Sequence, residues 1–142
     1  MSLLETHAFF ACYRDRFNAR DGDGVADLWH SPSAITDTRE GAAHVTWWAE
    51  DAPMRRNMHA LCGLYAKAGD AQWNFELLDH VAMGANHAFA HVRWTLTAAG
   101  GERLQRFNTG YQLARFADGP RALMCTAYQE DLSSWKNDHA AQ

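Results

Sequence analysis

The sequence predicts an α+β protein: a cone-shaped, curved antiparallel sheet covered by three N-terminal helices. Two observations carry that expectation. Apolar residues recur at helical spacing early in the chain, and after Gly69-Asp70 the texture switches to alternation. The alternating part comes as four segments, 72–83, 86–98, 102–116 and 121–131, parted by Gly84-Ala85, Gly100-Gly101 and Asp118-Gly119-Pro120. Short glycine-containing links between alternating runs make hairpins, so the four segments should form an antiparallel meander. Helices that precede such a sheet gather on one of its faces.

The elements follow in order. Residues 3–19 carry Phe9, Tyr13 and Phe17 as an i, i+4, i+8 ridge widened by Phe10, with Arg14, Asp15 and Arg16 turned outward. Residues 21–24 (DGDG) end this helix, and Asp23 caps a short second one, 24–30, that buries Val25, Leu28 and Trp29. Ser31-Pro32-Ser33 stops it. Residues 34–38 read as a short strand, and Gly41 turns the chain into a third helix, about 42–62, with Val45, Trp48 and Ala49 on one face and a kink at Pro53. A long sheet curls, and the first and third helices can close over its concave side, leaving one end open as a small-molecule site. The tail after Trp135 is polar and expected to fray.

Composition bounds the function. The 142 residues suit one domain, 1–142; 47% are apolar and 21% charged, a globular balance. The net charge of −4 and the lack of a basic run argue against nucleic acid as a partner. No apolar stretch approaches the roughly 18 residues of a membrane span, and the N-terminal pattern is not that of a secretory signal. Cys12, Cys62 and Cys125 are odd in number and far apart, which fits free thiols in a reducing cytoplasm. No metal motif, phosphate loop or nucleophile elbow is present, so no metal and no cofactor is expected.

Three stretches carry a family resemblance: residues 13–21 (YRDRFNARD), an aromatic followed by N-A-x-D at a helix end; Ala34-Ile35-Thr36-Asp37 followed by Gly41; and Gln112-Leu113-Ala114-Arg115-Phe116 before Asp118-Gly119. With the order of elements, they resemble the nuclear transport factor two-like superfamily, which includes the ketosteroid isomerases and SnoaL-like polyketide cyclases. The resemblance implies a cystatin-like fold. It places Asp37 where the isomerases carry their general base and Tyr13 where they carry an oxyanion-donating tyrosine. The isomerases' third group, an acid on the penultimate strand, is missing here: Tyr111 or Gln112 falls there, depending on a register that local sequence leaves open. The resemblance also implies a homodimer through the open face of the sheet.

The residues themselves allow two roles at most of these positions. Asp37 at a strand end beneath an apolar lid can take a proton from a carbon next to a carbonyl; equally, it can be a turn residue before Gly41. Tyr13 can donate to a developing enolate or simply pack in the Phe9–Phe17 ridge. His87, Phe89, His91 and Arg93 share one strand face, opposite Ala88, Ala90, Val92, Trp94 and Leu96. His87 and His91, roughly 13 Å apart on a strand, cannot alone chelate one metal. His91 is a candidate acid or base or part of a contact surface, and His59 is a further minor candidate. Trp29, Trp48, Phe9 and Phe17 are candidate pocket walls. On the last strand Met124, Thr126, Tyr128 and Glu130 share a face that lines the cone or meets a partner. Two functions follow. One is an enzyme acting on a small hydrophobic carbonyl compound by proton abstraction, an isomerase, cyclase or dehydratase without metal. The other is a non-catalytic ligand-binding or dimerisation domain.

Overall fold

The computed structural model describes residues 1–131, with side chains described through Tyr128. Helix α1 spans Leu3–Asn18. Its start is fixed by a capping box: the Ser2 hydroxyl accepts from the Glu5 amide, and the Ser2 amide donates to the Glu5 carboxylate. Its inner face buries Phe9, Phe10, Tyr13 and Phe17, the ridge read from the sequence.

Helix α2, Gly22–Ala26, is shorter than the 24–30 expected, and its cap is Asp21, which accepts from the Gly24 amide at 2.9 Å. Asp23 instead faces α3, pairing with Arg55 and His59. A Cβ on Gly22 would stand 2.9 Å from the His59 Cα, so only glycine lets α2 lie this close to the helix that roofs the sheet.

Strand β1, Trp29–Arg39, begins earlier than the short strand expected over 34–38, and so takes Trp29 out of the helix. The larger departure follows it. Residues 42–48 are not helical: β2, Ala42–Trp48, pairs antiparallel with β1. Glu40 and Gly41 both have positive φ, 53° and 78°, which is the two-residue turn that closes a tight hairpin. The run His44-Val45-Thr46-Trp47-Trp48 is rich in β-branched and aromatic residues, which lose side-chain freedom in a helix but pack well on a pleated surface. Helix α3 therefore starts only at Asp51 and runs to Ala66. Pro53 lies in its first turn, where the backbone N–H has no partner in the helix, so it produces no kink.

The four remaining strands keep their sequence bounds within about two residues: β3 Gln72–Met83, β4 His87–Thr97, β5 Arg103–Phe116 and β6 Gly119–Asp131. The sheet order is β2-β1-β6-β5-β4-β3. The meander is antiparallel throughout, and only β1 and β6 run parallel, with β2, α3, β3, β4 and β5 between them in the chain. Register shifts at Leu77/Asp79, Leu96/Thr97 and Gln112/Leu113 sharpen the twist that curls the sheet. The helices cover its concave face, where Phe10, Met54, Met58, Val92, Leu96 and Leu113 are fully buried.

The other face is uncovered. Register places Trp47, Ala34, Met124, Gln112, Phe89 and Val81 in one row across all six strands. Four members of that row are exposed large hydrophobics, led by Trp47 at 61%. No helix among the described residues is long and apolar enough to cross a membrane.

Candidate functional site

Between the helices and the concave face lies a cavity of about 240 Å³. Tyr13 and Phe17 of α1 form one wall, and Asn57, Met58, Leu61 and Tyr65 of α3 form another. The hairpin contributes Ile35, Asp37, Arg39, Thr46 and Trp48; the meander contributes Trp73, Trp94, Gln105, Phe107, Thr109, Tyr111, Cys125 and Ala127.

Two phenols share the interior. The Trp29 indole donates to the Tyr13 hydroxyl at 3.2 Å, and the Trp94 indole donates to the Tyr111 hydroxyl at 2.9 Å. Phe10 packs on Tyr111 with ring centroids 4.8 Å apart, and Tyr13 packs on Trp94 at 5.6 Å. An indole N–H can only donate, so each phenol oxygen is held as an acceptor and keeps its own proton to give. A contact between the two hydroxyls uses one proton at most. The other can go to a bound molecule or to the Thr109 hydroxyl on the same wall. Burial pushes both phenols above the ordinary tyrosine range, so they remain protonated donors at neutral pH.

Asp37 sits at the rim. Strand alternation puts Ile35, Asp37 and Arg39 on the cavity side. The Asp37 side chain is 29% exposed, and Arg39 Nε donates to both its oxygens, at 3.2 and 3.3 Å. His44, its register partner on β2, brings Nδ1 to 3.6 Å from Oδ1, an ion-pair distance when the ring is protonated. The turn before Gly41 leads into a strand, so Asp37 caps no helix. Ile35 pairs with Cys125 and Cys125 with Tyr111, which sets Asp37 and Tyr111 roughly 12 Å apart between Cα atoms by strand spacing. Both side chains line the cavity.

Burial and the nearby Asp37 push the Cys125 thiol up to about 12, which leaves it protonated and unreactive at neutral pH. The same shifts make a pH prediction. Tyr13, Tyr111 and Cys125 hold protons in the folded chain that the unfolded chain releases near pH 9.0 for the thiol and 10.0 for the phenols. Their contribution to stability is complete below those values and is lost as pH rises beyond them. The melting temperature should therefore fall steeply above about pH 9, and Cys125→Ala should flatten the first part of that fall, between about 9 and 12. A thermal melt series across that range checks it.

Several sequence candidates lie elsewhere. Phe9 is buried beside Phe10 and borders a surface groove with Met1 and Arg115, not the cavity. His59 points away from the cavity on α3, with Nε2 3.0 Å from Asp23 Oδ1. His91, Gln112, Met124 and Tyr128 are on the uncovered face, where they border a shallow depression with Phe89 and Gly110. There the His91 ring stacks on Tyr128 and hydrogen-bonds its hydroxyl. The Glu130 side chain lies outside the described residues, as does the tail after Trp135. Parity explains the exchange: β6 turns Cys125 and Ala127 inward, so Met124, Thr126 and Tyr128 point outward. The same rule selects Tyr111 over Gln112. Trp48 lines the cavity from a strand and not from a helix. The interior side chains not singled out from sequence, among them Trp73, Gln105, Phe107 and Thr109, share the parity of Tyr111 or Trp94, which was the signal available for them.

Three polar atoms of the cavity wall have no hydrogen-bond partner: Trp73 Nε1, Gln105 Oε1 and Thr109 Oγ1, in side chains that are 3%, 4% and 1% exposed. A buried, unsatisfied polar group costs about 1–3 kcal/mol. Among the described residues no group of three His, Cys, Asp or Glu is placed to hold a metal ion.

A curved sheet roofed by helices around a lined hollow defines the class: an NTF2-like protein with a cystatin-like fold. The chain belongs to the family described as NTF2-like protein (DUF6841), whose model matches residues 4–130. No protein with a curated description matches it. Among solved structures it is similar to a protein of unknown function from Mycobacterium tuberculosis (TM-score 0.68, 19% identity, 91% of this chain and 71% of that one). It is also similar to a putative calcium/calmodulin-dependent protein kinase type II association domain from Thiobacillus denitrificans (0.65, 18%, 85% and 91%). A third is an NTF2-like protein with a cystatin-like fold from Novosphingobium aromaticivorans (0.68, 13%, 87% and 78%). At these identities the likeness is one of fold.

Proposed function

We propose that this protein binds a small, largely apolar carbonyl compound in the cavity and abstracts a proton next to the carbonyl. The observation that carries the reading is the pair of indole-anchored phenols. Tyr13 and Tyr111 together keep a donor for the carbonyl oxygen in a dry, aromatic pocket, where such a donor stabilises a developing enolate most. Asp37 is the base. It removes the α-proton as the electron pair moves toward the oxygen held by the phenols. The resemblance to ketosteroid isomerases and SnoaL-like cyclases supports the assignment of Asp37 and Tyr13. Tyr111 takes the place of the acid those isomerases carry. Isomerisation, aldol-type cyclisation and dehydration all begin with this step.

The test is exchange of the α-protons of β-tetralone, a bicyclic ketone, for deuterium in buffered heavy water, followed by proton NMR. Exchange faster with protein than in buffer, and dependent on Asp37, supports the reading. The two hydrogen bonds from Arg39 to the Asp37 carboxylate favour a second reading, a binding protein without turnover, because they occupy the oxygens a base needs. Tight binding of β-tetralone with exchange at the buffer rate would decide for it.

The uncovered sheet face supports a homodimer. The row from Trp47 to Val81 is an apolar band that a second copy can cover, and large exposed patches of this kind mark interaction sites. Sedimentation at micromolar concentration should give twice the chain mass, and Met124→Glu, which puts a charge in the centre of the band, should give one. A wild-type monomer removes the proposal.

A further inference from the structure

Resting on the carbonyl-binding reading, a second feature of the same cavity narrows the class of ligand. Three buried indoles line it, and they are not equivalent. Those of Trp29 and Trp94 donate to phenols, whereas that of Trp73 has no partner. Trp73 is firmly held all the same. Asn18 clamps its backbone, accepting from its amide at 2.7 Å and donating to its carbonyl at 3.1 Å, and the rings of Tyr65 and Phe107 meet its indole edge-on at 5.0 and 5.6 Å. The unpaired N–H is therefore a fixed feature of the wall.

Gln105 is its neighbour on the concave face. Trp73 pairs with Leu96 and Leu96 with Gln105, so the two side chains flank one residue, roughly 10 Å apart between Cα atoms. One offers a donor that cannot accept; the other offers an acceptor without a donor. A hydroxyl satisfies both at once, accepting from Trp73 and donating to Gln105. This polar end is separated from the phenols by one aromatic residue. Trp94 stands 6.2 Å from the Trp73 ring and donates to Tyr111 at 2.9 Å. A cavity of 150 Å³ holds benzene; about 240 Å³ suits two fused rings.

We infer that the cavity selects flat, two-ring carbonyl compounds that carry a hydroxyl at the end opposite the carbonyl, and that Trp73 and Gln105 read that hydroxyl.

The test measures dissociation constants by calorimetric titration of the full chain with four probes: tetralin, 6-hydroxytetralin, β-tetralone and 6-hydroxy-β-tetralone. The hydroxyl should tighten binding roughly tenfold on either scaffold, the range of one satisfied hydrogen bond. Gln105→Met and Trp73→Phe should each erase most of that gain, read on the same variant as the ratio of affinities for 6-hydroxy-β-tetralone and β-tetralone, so that a change of cavity shape common to both probes cancels. A hydroxyl that brings no gain to the wild type, or a gain that survives both substitutions, overturns the inference. Equal binding of tetralin and β-tetralone overturns the carbonyl reading instead, and the tetralin pair still reports on the hydroxyl. No binding by any of the four overturns both. Near-UV circular dichroism confirms that each variant is folded, and the two substitutions lie on different strands, so one suffices if the other fails to fold.

Discussion

Asp37→Asn is expected to slow the exchange of β-tetralone α-protons by about two to four orders of magnitude, the range contributed by a positioned general base. The substitution is nearly isosteric. It keeps the strand pairing with His44 and leaves the interior wall untouched, so the dissociation constant for β-tetralone should stay within about threefold, since no buried partner of the ligand is lost. What disappears is a group that can take a proton. Tyr111→Phe separates the other half of the chemistry. It removes a donor aimed at the oxygen, frees the Trp94 indole of its partner, and should slow exchange by about one to three orders of magnitude. Arg39→Gln tests what restrains the base. Without the guanidinium on its oxygens Asp37 should become more available, so exchange should rise or hold. If Asp37→Asn exchanges protons as fast as the wild type, Asp37 is not the base.

Phe10→Ala should destabilise the fold by about 3–5 kcal/mol, the cost of deleting a fully buried aromatic side chain. Phe10 is 0% exposed, and its ring meets those of Phe9, Phe75, Trp94 and Tyr111 at centroid distances of 5.1, 6.1, 6.3 and 4.8 Å. It joins α1 to β3, β4 and β5 at the place where the phenol network is anchored. Urea unfolding should show a lower midpoint with an unchanged slope, and the melting temperature should drop by roughly 10–20 °C. Leu4→Ala on the same helix is the control. Leu4 is 81% exposed, so the change should stay within about 0.5 kcal/mol. A Phe10→Ala protein as stable as the control would mean that α1 is not held to the sheet through this ring.

Much of the architecture was legible locally. The Phe9–Phe17 ridge marks α1 because helical burial repeats every three to four residues. The meander announces itself by alternation and by Gly84, Gly100 and Gly119 at its turns. The helix expected over 42–62 holds from Asp51 on and departs only over 42–50, for a clear reason. An amphipathic spacing of Val45, Trp48 and Ala49 fits a helix as well as it fits two faces of a strand. The deciding signals were the left-handed pair Glu40-Gly41 and the density of β-branched and aromatic residues. Pro53 would kink a helix that began at Ala42, but in one that begins at Asp51 it falls in the first turn.

By itself the sequence determined the order of helices and strands, the switch from one periodicity to the other, and a carboxylate at position 37 near the end of a strand. Only the tertiary structure decided which side of each strand faces the hollow, and so sent Tyr111 and Cys125 inward while His91, Met124 and Tyr128 went outward. It also joined Tyr13 to Trp29, gave Tyr111 to Trp94, and left Trp73 and Gln105 without partners. The physical reason is that strand register fixes all of these together. A shift of one residue reverses every side chain on a strand, and the partners that hold a register lie on other strands, beyond the reach of local pattern.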